Sequence, residues 1–214
     1  MSTSSPTLPS ENSGSDAATR LLRGAWLGVL LGLLIEGIIL AIQLMQNQLP
    51  EPIRMVADTV QKVSWSSLVC AVLAAGQGIA RGTARLAGLA GLIGAPIAFL
   101  LARSLHKATL EVMGEETPAS VVPWLAAGIK GAEYALLGMA ILWLSKSQRG
   151  WKAHVALGAG VGLVTYALTL WLLPAGGDPV QRAIVEIVHP VGCALAVYIA
   201  LQFNRRMGSE DATD

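Results

Sequence analysis

The sequence predicts an all-α integral membrane protein, a six-helix transmembrane bundle with signs of a 3+3 inverted repeat. Three observations predict it. Of the 214 residues 53% are hydrophobic and only 14% are charged, and the mean hydropathy is +0.56, far from the balance of a soluble domain. Six stretches approach the roughly 20 apolar residues needed to cross about 30 Å of hydrocarbon. The connections between them alternate in basic charge, as the loops of a multi-pass protein do.

Residues 1–23 are rich in Ser, Thr, Pro, Asn and Gly and have no apolar period, the composition of a disordered tail. The run from Ala25 to Met45 is too long for a signal-peptide core and contains Glu36. It ends in Gln46-Asn47-Gln48-Leu49-Pro50, without a small-residue cleavage pattern, so it reads as a retained anchor. The second and third spans, Val63 to Ala80 and Leu86 to Ala102, are confined by Lys62, Arg81, Arg85 and Arg103, whose long side chains extend a span by reaching the headgroups. One hairpin entering and leaving by the same face is the alternative for this pair. Val121 to Leu144, Ala153 to Leu173 and Ala183 to Phe203 supply the remaining three. The chain thus divides into a tail (1–23), a first three-helix half (24–102), an outer loop (103–120), a second half (121–204) and a closing tail (205–214).

Basic residues set the expected orientation. Arg20, Arg23, Arg81, Arg85, Lys146, Arg149, Lys152, Arg205 and Arg206 fall on one side. The other side holds Arg54, Lys62, Arg103, Lys107 and Arg182, together with Glu51, Asp58, Glu111, Glu115, Glu116 and Asp178. The positive-inside rule places the richer set, and with it both termini, in the cytoplasm, as for a protein of a cell's inner membrane.

A formal net charge of +1, with no basic stripe interleaved with aromatics, argues against nucleic acid as a partner. The lipid bilayer is the partner the composition demands. Cys70 and Cys193 lie inside apolar runs, where a thiol is usually a small buried hydrophobe and not half of a disulfide. Gly88, Gly91 and Gly94, and Gly158 and Gly162, form flat strips suited to close helix packing, inside the bundle or between copies in a homo-oligomer. None of these runs matches a phosphate loop, since none follows a strand or carries a Lys-Ser/Thr pair.

An internal comparison supports the repeat. Glu36 and Glu133 stand near the middle of the first spans of the two halves, Trp65 and Trp151 begin the second, and Pro96 and Pro190 interrupt the third. Three helices per half would invert the second half, the arrangement of many transporters with a site at the repeat interface. The bland alternative has helices one and four packing through Gly28 and Gly32 or Gly128 and Gly131.

Ionisable groups inside hydrocarbon cost on the order of a few kcal/mol each and default to pairing or functional roles. Glu36 and Glu133, facing each other, would suit a proton carrier or cation ligand through desolvation and like-charge repulsion. Lys130, on the same helical face as Glu133, could neutralise it or reach Glu36, which makes a structural ion pair the rival reading. Glu186 and His189 share a face of the sixth helix just before Pro190 and would guard the outer mouth. Their Glu-x-x-His spacing occurs in di-metal bundles, but there twice and with two further glutamates, so no metal and no cofactor is expected. His154 reads as part of an interfacial belt with Trp151 and Lys152, and His106 as a loop residue.

The leading expectation is a small permease or channel-like transporter in which Glu36, Lys130, Glu133, Glu186 and His189 handle protons, a small ion or a solute. A membrane scaffold or accessory subunit, its charges only locking helices, is the second. An intramembrane metalloenzyme using Glu133, Glu186, His154 and His189 is the third. It is disfavoured because the two histidines approach opposite surfaces, more than about 15 Å apart in depth.

Overall fold

A computed structural model describes residues 12–79, 83–115, 123–173 and 178–210. Among them the chain forms six helices and no strand: α1 (Asn12–Met45), α2 (Pro52–Ile79), α3 (Ala84–Val112), α4 (Pro123–Lys146), α5 (Trp151–Leu172) and α6 (Pro179–Glu210). Five of them are long and apolar enough to cross a membrane.

The exception is α2, the second of the expected spans. At 28 residues it is about 42 Å long, but Arg54, Asp58 and Lys62 occupy its first half, and Ser64, Ser66, Ser67 and Gln77 dilute the rest. Its place explains the composition. It touches α1, α3, α4 and α6, so much of its surface meets protein, where polar groups find partners, instead of lipid, where they would not. Ser66 and Gln77 are accordingly buried.

The helices outrun the charge-free cores. α1 begins at Asn12, inside the stretch read as a disordered tail, and α3 continues past Ala102 to Val112, so residues 103–112 are helix and not outer loop. Charge ends a hydrophobic core without ending a helix. Lys107 and Glu111 pair at i,i+4 across 3.6 Å, and the Thr109 hydroxyl donates to the Leu105 carbonyl. The first eleven residues, the later part of the expected loop (116–120) and the last four residues lie outside the described residues.

Helices consecutive in sequence run antiparallel, and the bundle is tied near its ends. Arg54 at the start of α2 reaches Glu115 just beyond α3 at 3.3 Å, and the Arg182 guanidinium donates to the Thr169 carbonyl between α6 and α5 at 2.6 Å. At the opposite end Arg23 lies over the Phe203 ring. Five of the six tryptophans are exposed, Trp26, Trp143 and Trp151 toward that end and Trp124 and Trp171 toward the other. Within α4 and α5 the two levels are about 30 Å apart on the helical rise, the hydrocarbon thickness a bilayer presents between its aromatic belts.

Glycine lets the backbones close. A Cβ on Gly32 of α1 would lie 2.6 Å from Val63 Cα, and one on Gly162 of α5 would lie 2.7 Å from the Glu186 carbonyl oxygen. The glycine strips are therefore used inside the bundle: α1 on α2, α3 on α4 and α2, and α5 on α6. Proline adds a second device. Pro190 and Pro96 remove the helical partners of the Glu186 and Leu92 carbonyls, and each freed carbonyl faces a glycine of the next helix, Gly162 and Gly131.

The two halves do not pack alike. α1 lies along α2, whereas α4 and α5 part to leave an open groove, and α1 shares no contact with α4 among the described residues. Helices one and four are thus neither the facing pair that the repeat expectation placed at the site nor packing partners.

Candidate functional site

About two turns into the bundle from the Trp124 level, charge gathers in two separate nodes. The first joins α1 to α2. Glu36 is 4% exposed, and its carboxylate meets the Lys62 ammonium at 2.6 Å. Asp58, one turn nearer the rim, lies 3.9 Å from Lys62 and 3.0 Å from the His106 ring of α3.

The second node joins α4 to α6. Lys130 stands about 9 Å inside the Trp124 level and Glu133 about 13 Å, close to the bilayer midplane on the helical rise. The Lys130 Nζ donates to Glu133 Oε2 at 2.8 Å and to Glu186 Oε2 at 2.5 Å. Lys130 and Glu133 are buried, and Glu186 is nearly so. Two carboxylates share one ammonium, and Glu133 Oε1 is buried with no hydrogen-bond partner. Away from water, such an atom keeps its full desolvation cost.

One turn along α6 from Glu186, the chemistry changes from charged to neutral. The His189 ring is fully enclosed: Nε2 lies 2.8 Å from the Ser66 hydroxyl, Nδ1 bonds the Tyr134 hydroxyl, and Trp65 packs against the ring. A neutral imidazole donates at one nitrogen and accepts at the other, so the Tyr134–His189–Ser66 chain of hydrogen bonds can point either way. Cys193, one turn on, brings its sulfur 3.6 Å from Nδ1 and 3.2 Å from the Cys70 sulfur. Both cysteines are free and buried, as the sequence suggests, but they touch each other across α2 and α6.

Two cavities meet at the second node. A vestibule of about 250 Å³ is lined by Gln61, Lys62, Trp65, Phe99, Lys130 and Glu186, so it is walled by the ammoniums of both nodes. A groove of about 460 Å³ lies between α4 and α5, with Ile129, Leu136, Leu157, Val161 and Val164 on its walls and Glu133 as its charged lining residue. Lys130 therefore bridges a carboxylate at the vestibule and one, Glu133, whose side chain is enclosed behind the groove wall. No protein-family model, curated protein or solved structure matches the chain.

Of the five residues singled out from sequence, the structure joins Lys130, Glu133 and Glu186 and separates the others from them. Glu36 turns to Lys62 and does not meet Glu133 or Lys130, because α1 and α4 never approach. His189 is not at a mouth: it is 2% exposed and turned to Ser66 and Tyr134, away from Glu186. Among the described residues no three His, Cys, Asp or Glu side chains stand close enough to hold a metal ion. His154, expected in an interfacial belt, is buried against Tyr198, with Nδ1 3.1 Å from the Gly150 carbonyl. His106, read as a loop residue, is in α3 and pairs with Asp58.

Sequence reasoning missed Lys62, although a signal was there. Glu36 precedes and Lys62 follows the α1–α2 connection by similar lengths of helix, about nine and ten residues, so an antiparallel hairpin sets them at one depth. The same symmetry about the α2–α3 connection pairs Asp58 with His106. Tyr134, Ser66 and the cysteine contact join elements distant in sequence, and no spacing rule reaches them.

Proposed function

We propose that the chain is a small permease in which the Glu186–Lys130–Glu133 relay moves protons, or exchanges a proton for a small cation, between the vestibule and the α4–α5 groove. One observation carries the reading: two carboxylates share one buried ammonium, Glu186 at the vestibule and Glu133 enclosed behind the wall of the α4–α5 groove. Two carboxylates and one ammonium leave one negative charge in a region of low dielectric, a state that a proton or a cation relieves. Facing Glu133 are Lys130 from its own helix and Glu186 from α6. The vestibule end carries the poorer set of Lys and Arg, so the positive-inside rule turns it away from the cytoplasm and leaves both termini inside.

The purified chain, reconstituted into vesicles holding a pH-sensitive dye, tests this when a potassium diffusion potential is applied. Glu133→Gln and Glu186→Gln are each expected to lower proton uptake about tenfold or more, while Lys107→Gln, at an exposed pair on α3, leaves it unchanged. Wild-type uptake no faster than protein-free vesicles, or undiminished uptake in both folded glutamine variants, would overturn the permease and favour a scaffold whose charges only lock helices.

A further inference from the structure

At the opposite end of the bundle from the vestibule, α1 and α6 leave a slot of about 480 Å³ between them. Thr19, Leu22, Arg23 and Trp26 form its α1 wall, spaced as one face of a helix. Gly24 holds the adjoining face against α2, where a Cβ would lie 2.7 Å from the Cys70 carbonyl oxygen. Ile199 and Phe203 of α6 stand across the slot. Farther in, Leu31 closes on Gly192, so the slot narrows toward the midplane and opens toward the headgroups. Access is direct: Leu22 is 60% exposed, Trp26 69% and Phe203 55%.

Depth decides what covers these walls. Trp26 stands in the aromatic belt at the edge of the hydrocarbon. Arg23 is one turn, about 4.5 Å, outside it, at the level of the lipid phosphates, and Leu27 and Ile199 lie on the inner side, where acyl chains begin. Arg23 is the charged residue among the described lining, since Arg20 turns to α2 and lies against Gly78. It is partly exposed, and its guanidinium sits over the Phe203 ring, 5.9 Å from the centre. So seated, it offers a fork of donors matched to phosphate oxygens. Arg205 and Arg206, just beyond Phe203 in the sequence, add positive charge at this end. A choline headgroup would bring a further cation to it, whereas a headgroup without one leaves the phosphate charge uncancelled.

We infer that the slot binds an anionic phospholipid, its phosphate on Arg23 and one acyl chain descending between α1 and α6 past Leu27 and Ile199.

The full chain in detergent micelles is titrated with palmitoyl-oleoyl phosphatidylglycerol or with its phosphatidylcholine counterpart, and retained lipid is counted by native mass spectrometry. One phosphatidylglycerol is expected to bind saturably, about tenfold tighter than phosphatidylcholine. Arg23→Gln should bring it down to the phosphatidylcholine level. Leu22→Glu, which sets a carboxylate beside Arg23 on an exposed position, should weaken it as much. Lys152→Gln, at an exposed cation over Trp151 at the same end, should leave it unchanged. Circular dichroism and the unfolding midpoint identify the folded variants. Equal retention of the two lipids would overturn the proposal, as would undiminished binding in either folded slot variant. An equal loss in Lys152→Gln would also overturn it, because the lipid would then answer to the charge of the whole face. Displacement by millimolar inorganic phosphate would do the same, by giving Arg23 to a soluble anion.

Discussion

The Glu36–Lys62 node and the Lys130 node are built from the same residue types and are buried in the same membrane-spanning bundle, yet they differ in stoichiometry. At the first, one buried carboxylate meets one ammonium, and Asp58 sits at the rim with more than a third of its side chain exposed. At the second, two carboxylates compete for one ammonium. Burial and residue identity do not separate a lock from a working site here. Charge balance does, together with position: Glu36 lines neither cavity, whereas Glu186 and Glu133 stand in the walls of one each.

The largest effect should come from removing the shared cation. Lys130→Met leaves two carboxylates together in a dry interior and is expected to cost about 3–5 kcal/mol of stability, the range for breaking a buried pair by deleting one partner. Lys62→Met should cost less, about 1–3 kcal/mol, because its side chain is 19% exposed and water softens the loss. Unfolding midpoints in detergent micelles compare the two, and Lys130→Met combined with Glu133→Gln should recover part of the loss. Equal costs for the two lysines would erase the distinction between the nodes.

A smaller effect tests how the charges are partitioned. A double-mutant cycle of Glu36→Gln with Lys62→Met should show a coupling of about 1–3 kcal/mol, whereas Glu36→Gln and Glu133→Gln should add to within about 0.5 kcal/mol. Coupling of Glu36 to Glu133 would restore the single cluster that the sequence suggested and the structure divides.

That division marks how far the sequence could be read. Helix number and approximate boundaries were legible because long apolar runs, once too hydrophobic for water, leave the backbone little choice but to satisfy itself internally. The meeting of Lys130 with Glu133 followed from helical spacing, and the role of Glu186 as a polar residue near that depth followed from helical rise. Glu36 was misassigned because depth fixes one coordinate of a residue in a bundle and says nothing of which helices are neighbours. α2 was the obscure element for the same reason: its serines and Gln77 weaken the membrane signal because the helix lies among four others, and that position is a tertiary fact. The vestibule and the groove depend on helix spacing, which no local pattern encodes.

The smallest effect sharpens the contrast from the side of the groove. Gly158, Gly160 and Gly162 alternate along α5, yet only the outer two are needed for packing. A Cβ on Gly158 would lie 2.5 Å from Val191 Cα and one on Gly162 2.7 Å from the Glu186 carbonyl, so alanine at either must push α6 away, at about 1–3 kcal/mol. Displacing α6 would also move Glu186 relative to Lys130. Gly160→Ala meets open space and should gain up to about 1 kcal/mol from the removed backbone freedom. Midpoints that fall for Gly158→Ala and Gly162→Ala and rise slightly for Gly160→Ala would show that α5 is seated on α6 by two glycines and stands off α4 at the third. A loss at Gly160→Ala as large as its neighbours' would mean that another surface already closes the groove.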